Sequence, residues 1–393
     1  METLKMPALK LFFCLLLAVL PALLLCAQPQ KQFTFTHYTT NTGLQSNQVN
    51  DAVQDETGYI WIGTTEGLVR FDGIRYKTFQ HHQNDSSSLP SNVLEHLLLD
   101  KQKNLWVLTE GGKAGIFNTR KFTFTPVPLH PDFKGSLKSL SKYFVTDDAG
   151  NVFLLLGNQE ILMWNRQSNS FQPLRNFFPI DKNWKLTSIA KQPGTQKYWI
   201  GLQQGGMAVY NALSGKTSVA GNNVENEPML EELQKAGAPE HLMFDGKGRC
   251  WFTVTTPNYA ILHMYDFSKR PVKTKQFEFF STLKTYNEIY RIFEQTDGTI
   301  WVSGLAVLGY YIPAEERFEL IPPGYENEKG IDYRTITCLF EDREMNMWVG
   351  TAINGIFRFN PSQEFFTNIK YVNRVTNDYG DNGIAAISTD VDS

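Results

Sequence analysis

The 393-residue sequence predicts an all-β fold: a seven-bladed β-propeller of four-stranded antiparallel blades, plus the first strands of a second propeller. Three observations carry this. A stretch typified by Asp55-Glu56-Thr57-Gly58-Tyr59-Ile60-Trp61-Ile62-Gly63-Thr64 occurs in seven copies, with aromatic anchors at positions 61, 106, 153, 199, 251, 301 and 348. The anchors step by 45, 47, 46, 52, 50 and 47 residues, a period that signals a propeller or solenoid. Each copy also holds four short apolar segments, the content of one propeller blade.

Every part of the unit has a physical job. The Asp opens a turn by bonding its own backbone, and the Gly takes the positive φ that closes it. The aromatic then starts a strand and offers a large apolar plate to the neighbouring blade. Gly63, Gly201, Gly304 and Gly350 follow the anchor where another backbone is expected to crowd the strand. Gly67–Phe71 and Gly355–Phe359 read as tight turns into a third strand, and Tyr76–Phe79 as a fourth.

These residues resemble the regulator-propeller repeat in the periplasmic sensor half of Bacteroidetes-type hybrid two-component histidine kinases. Leu44-Gln45-Ser46-Asn47 and Leu89-Pro90-Ser91-Asn92 precede the first two copies, and Trp61-Ile62-Gly63-Thr64 and Trp348-Val349-Gly350-Thr351 follow the repeat closely. The third to sixth copies depart from it. The resemblance spans residues 33–393. It implies two seven-bladed propellers, a β-sandwich linker, one inner-membrane span, and cytoplasmic kinase, receiver and DNA-binding parts. It also implies an oligosaccharide ligand, control of transcription, and a homodimer formed through the full-length protein.

Along the chain, residues 1–27 carry Lys5 and Lys10, the apolar run Leu11–Leu25 and then Cys26-Ala27, the layout of a cleaved secretory signal or an uncleaved anchor. The run is short for a membrane span, which needs about 20 apolar residues. Leu25 before Cys26 argues against a lipoprotein signal, and export to the periplasm follows on either reading. Residues 28–363 are the propeller. Phe33–Tyr38 alternates like a half-buried strand without a blade of its own, and pairing it with the last blade would close the ring without a free edge. Residues 364–393 then read as the truncated start of a second propeller. Phe365–Tyr371 is its outer strand, Gly383–Ser393 is an inner strand stopping in mid-motif, and the chain is expected to be a fragment.

Composition fits a soluble β protein: 13% aromatic, 29 Gly, net charge −3 and no basic run that would contact nucleic acid. Cys250 and Cys338 lie in strands of different blades and read as buried thiols rather than a disulfide.

Aligning the inner strands on the turn Asp, or its Gln equivalent, locates a candidate site. Two and three residues before it every copy is apolar, as in Ala52/Val53, Leu97/Leu98 and Phe144/Val145, so those columns are inter-blade core. Four and five residues before it stand polar groups, among them Asn50, Glu95, His96, Tyr143, His241, Tyr290 and Arg291. They are expected to ring one mouth of the central channel. There they would either hold a ligand, with Tyr and Arg suited to sugar stacking and hydrogen bonding, or simply face water. The long inter-blade segment Lys216–Glu240, with Glu225, Glu227, Glu231 and Glu232, is a second candidate surface at that face, to be read either as a solvated excursion or as a loop that carries function.

Catalytic signatures are weak. The seven His show no metal spacing, and no phosphate loop, Rossmann fingerprint, Gly-x-Ser-x-Gly elbow or kinase motif is present, so neither catalysis nor a cofactor is expected. The alternative is a secreted propeller glycoside hydrolase or lyase, since paired carboxylates suffice for that chemistry. Against it, the repeated Asp residues already serve as turn formers, and their spacing to Trp differs from the sialidase Asp-box.

Overall fold

A computed structural model describes residues 33–133, 142–157, 159–324, 330–362, 372–373 and 378–379. One compact unit covers Phe33–Pro361. Within it seven antiparallel four-stranded sheets form the blades, as the sequence predicts. Their innermost strands are Val49–Gln54, Leu94–Leu99, Lys142–Thr146, Leu186–Lys191, Glu240–Phe244, Glu288–Glu294 and Ile336–Glu341, in blades 1 to 7.

The ring closes as expected. Thr36–Tyr38 pairs antiparallel with Ile356–Phe359, matching Thr36 to Arg358 and Tyr38 to Ile356, and becomes the outer strand of blade 7. A first-to-last pairing of this kind removes the free edge that would otherwise template association. The leader and the segments 365–371 and 383–393 lie outside the described residues. Val372–Asn373 and Asp378–Tyr379 form a two-stranded antiparallel pair.

The core is divided among the blade interfaces, and the strand period explains how. Along each inner strand successive side chains point to opposite faces. The residue three before the turn Asp therefore packs toward the preceding blade, and the residue two before it toward the following one. Leu97 joins the blade 1/2 cluster with Trp61 and Phe117, while Leu98 joins the blade 2/3 cluster with Trp106 and Phe171. Leu339 and Phe340 divide in the same way between the 6/7 and 7/1 clusters.

The Asp does more than form the turn. Asp55 Oδ1 accepts from the Thr57 and Tyr59 amides at 2.8 and 3.1 Å, and its Oδ2 accepts from the Trp61 indole at 2.7 Å. Asp100, Asp245 and Asp342 bond Trp106, Trp251 and Trp348 at 2.8, 2.8 and 2.7 Å. Gln192 and Gln295 keep the bond to Trp199 and Trp301 through their amide oxygens, at 3.1 and 3.0 Å. In blade 3 the anchor is Phe153, which has no donor, and Asp147 Oδ2 accepts instead from Tyr198 Oη of blade 4 at 2.8 Å. The six-residue offset thus places a carboxylate under an indole N–H that is buried and needs a partner.

The last residue of an inner strand also reaches back to the preceding blade's turn. Glu294 accepts the Gly246 amide at 2.8 Å, Glu341 accepts that of Thr296 at 2.7 Å, and Gln54 accepts that of Arg343 at 2.8 Å, across the closure.

Lys216–Glu240 departs from the expected solvated excursion. It contains the strand Lys216–Val219 and a helix Leu230–Ala236 whose Leu230 and Leu233 are buried in the blade 4/5 cluster. Three of its four acids are tied down: Glu225 to Asn211 at 2.9 Å, Glu227 to Lys197 at 2.5 Å, and Glu231 to the Gly221 amide at 2.7 Å. Leu230 and Leu233 gain apolar contact that an exposed loop would forgo.

Candidate functional site

At the opposite end from the Asp turns, the inner strands share a second feature. In six of seven blades the pairing with the next strand slips by one residue close to the strand's start. In blade 1 Val49 pairs with Thr64 and Asp51 with Gly63, leaving Asn50 as the extra residue; Glu95, Thr187, Tyr290 and Thr337 hold that place in blades 2, 4, 6 and 7. A β-bulge of this kind bends the strand and re-aims a side chain. It also crowds three of the glycines that lie across from it: a Cβ on Gly201 would sit 2.5 Å from Thr187 Oγ1, one on Gly304 2.8 Å from the Tyr290 nitrogen, and one on Gly350 would run into Cys338 Sγ, whereas at Gly63 the nearest neighbour is Leu94 Cβ of blade 2 at 3.2 Å.

Three of the extra residues latch onto the next blade. Asn50 Nδ2 donates to the Leu94 carbonyl at 2.6 Å, Thr337 Oγ1 to that of Val49 at 2.6 Å, and Thr187 Oγ1 to that of Pro239. Blade 3 has no slip, and its strand runs in register from Lys142 to Thr146. Blade 5 has a wider one, where His241 takes a φ of +49°, a conformation unusual for a residue with a side chain.

All seven residues singled out in the sequence, Asn50, Glu95, His96, Tyr143, His241, Tyr290 and Arg291, line one cavity of about 1040 Å³. Its wall also includes Glu240, Gln159, Gln203, Thr187 and Thr337, which the sequence reading did not select. Thr187, Glu240 and Thr337 stood in the same aligned column, whereas Gln159 and Gln203 come from turns between the second and third strands.

The column four residues before the turn Asp is not a uniform water-facing ring. Asp51, His96, Ser188 and Cys338 are buried. Asp51 Oδ2 accepts the Leu97 amide at 2.9 Å and lies 3.2 Å from His96 Nε2, and its Oδ1 lies 3.2 Å from Arg291 Nη2 of blade 6. Arg291 Nη2 is also 3.0 Å from His96 Nε2. Side chains of blades 1, 2 and 6 therefore meet in one cluster. The Phe144 amide faces His96 Nδ1 at 3.4 Å, and Nε2 lies between the Asp51 acceptor and the Arg291 donor, so a neutral ring can serve only one of those two through Nε2.

Burial draws the His96 pKa down to about 4; the Asp51 charge opposes that shift and the Arg291 charge adds to it. His241, lowered to about 4 by burial and by Arg291, lies with its ring 6.0 Å from that of Tyr143. Burial and the nearby Glu240 raise the Tyr143 phenol above its ordinary range, and burial with a hydrogen bond to Glu288 raises that of Tyr290. Both therefore remain neutral donors at physiological pH. Glu240 Oε2 accepts from Thr255 Oγ1 at 2.9 Å. The wall is thus a mixture of stacking rings, hydroxyls, amides and carboxylates, suited to holding a hydroxyl-rich molecule by many weak contacts. No group of three His, Cys, Asp or Glu able to hold a metal occurs among the described residues.

Comparison with known proteins gives a consistent picture. The family model described as the two component regulator propeller matches residues 43–66, so the chain carries that repeat. A histidine kinase of Formosa agariphila is 39% identical over 57 residues, which is 14% of this chain and 4% of that relative. Among solved structures, the extracellular domain of a hybrid two component system from B. thetaiotaomicron superposes with a TM-score of 0.62 at 18% identity, covering 84% of this chain and 42% of that one. A streptogramin B lyase superposes at 0.55 with 15% identity, over 84% of this chain and 97% of the lyase. At these identities the superpositions establish the shared propeller fold. The chain spans less than half of the B. thetaiotaomicron domain it matches.

Proposed function

We propose that this propeller is the ligand-sensing region of an exported hybrid two-component sensor histidine kinase, and that its central cavity takes an oligosaccharide without turning it over. The observation that carries the reading is the convergence of seven polar and aromatic residues from five blades on one cavity of about 1040 Å³. Its support is the regulator-propeller repeat at residues 43–66 together with the local likeness to a histidine kinase. On this reading the protein works in the periplasm. The rest of the parent, anchored in the inner membrane, supplies a second propeller, a β-sandwich linker and the kinase. Ligand binding biases a dimer between two arrangements and so switches transcription, which requires the ligand to bind one arrangement better than the other.

The hydrolase or lyase alternative draws no support from the repeated acids. Asp55, Asp100, Asp245 and Asp342 are committed to indole and turn amides. Calorimetric titration with a panel of plant and algal oligosaccharides, followed by product analysis of the same mixtures, tests the proposal. Saturable binding with intact ligand is expected. Cleavage that disappears on replacing Glu95 or Glu240 would establish the enzyme instead.

A further inference from the structure

The charges around the cavity narrow the class of ligand, given the sensing role proposed above. Arg291 is the cation among the described lining residues, and it is held 3.2 Å from Asp51 Oδ1, a carboxylate that is 4% exposed and fixed by the Ala52 and Leu97 amides at 3.0 and 2.9 Å. Its positive charge is therefore largely neutralised before any ligand arrives. His96 and His241 add no second cation at neutral pH, because burial holds both rings in the uncharged form. Glu240 brings negative charge to the same wall. Glu240 is close enough to Tyr143 to shift its phenol, and Tyr143 stacks beside His241, so one wall combines a carboxylate with two rings. An arriving carboxylate or sulfate would meet the Glu240 carboxylate with no unpaired Arg291 to receive it, while losing its hydration. An ammonium or a neutral polyol would not, and an ammonium gains from both the ring faces and the acid.

We infer that the cavity selects uncharged or amine-bearing saccharides over acidic ones, with Glu240 setting the field and Asp51 acting as a positioning residue that withholds Arg291 from the ligand. Both roles belong to specificity and not to catalysis. Two substitutions address them separately. Glu240→Gln keeps an acceptor for Thr255 Oγ1 and removes the charge, and Asp51→Asn releases Arg291 toward the cavity.

The test is titration of the purified protein with length-matched panels of neutral oligosaccharides, chitosan oligomers and oligouronates, at low and high salt. In the unaltered protein the neutral and amine-bearing members are expected to bind at least about tenfold more tightly than the uronates, with a gap that shrinks as salt screens the field. Glu240→Gln is expected to narrow that gap several-fold. Asp51→Asn is expected to narrow it further by improving uronate binding. Should Asp51→Asn fail to fold, Glu240→Gln decides alone. Uronates binding as well as their neutral counterparts, or a gap indifferent to Glu240→Gln, would overturn this inference and leave the sensing role standing. No binding by any member of the three panels would overturn both.

Discussion

The two ends of the inner strands obey different rules. At the turn end the same bond is made repeatedly: an acid or amide under an indole in six blades, and in blade 3 the same acid turned toward Tyr198 when the indole is missing. At the starting end the strands share a bulge, but its side chain is Asn, Glu, Thr, Tyr or Thr, and the residue after it is Asp, His, Ser, Arg or Cys. Repetition with repair marks a position that each interface needs in order to pack. Divergence on a common backbone marks a position where packing asks for little and another demand can act.

Substitutions break the comparison in order of size. Trp106→Ala at the turn end removes a fully buried plate that touches Phe144, Trp164 and Phe171, and is expected to cost about 3–5 kcal/mol by denaturant unfolding. Asp55→Ala leaves the Trp61 indole and two turn amides without their acceptor and is expected to cost about 2–3 kcal/mol. Loss of either effect would place the stabilising chemistry elsewhere.

A pH series sharpens the contrast further. His96, His241 and His263 each have a pKa held near 4 by burial, below their ordinary 6.5. As pH falls the unfolded chain takes up these protons first. The stability is therefore complete above about pH 6.5 and is lost on acidification toward pH 4, at up to about 1.4 kcal/mol per pH unit for each of the buried His96 and His263 rings and less for the part-exposed His241. His96→Gln is expected to flatten that slope measurably in unfolding titrations between pH 6.5 and 4. An unchanged slope would mean that His96 is charged in the folded protein. The smallest effect belongs to the cavity wall: Glu240→Gln is expected to change stability by no more than about 0.5 kcal/mol, while ligand affinities respond.

The same contrast decides what could be read from the sequence. The period, the blade count and the closing strand at Thr36–Tyr38 were legible because the turn end repeats. The apolar pair before each Asp was legible for the same reason, although only the structure assigns Leu97 and Leu98 to different interfaces. The candidate site was legible as a column, and all seven of its chosen members line one cavity. What stayed hidden was pairwise. Asp51 meets Arg291 from a blade 240 positions along the chain, a relation that follows from ring geometry and from no local spacing. The bulge was visible only through its shadow, the glycines at 201, 304 and 350. The packed helix Leu230–Ala236 was obscured by the acids of its segment, which suggested solvent; Glu225, Glu227 and Glu231 proved to be tied to Asn211, Lys197 and Gly221.

Amide hydrogen exchange on the protein, with and without a saturating oligosaccharide, tests the central claim most directly, because it reads both ends of every inner strand in one experiment. Added protection is expected around Tyr143, Glu240–His241 and Tyr290–Arg291, with the turns at Asp55, Asp100, Asp245 and Asp342 unchanged. Protection appearing at those turns, with none at the strand starts, would contradict the division of labour between the two ends.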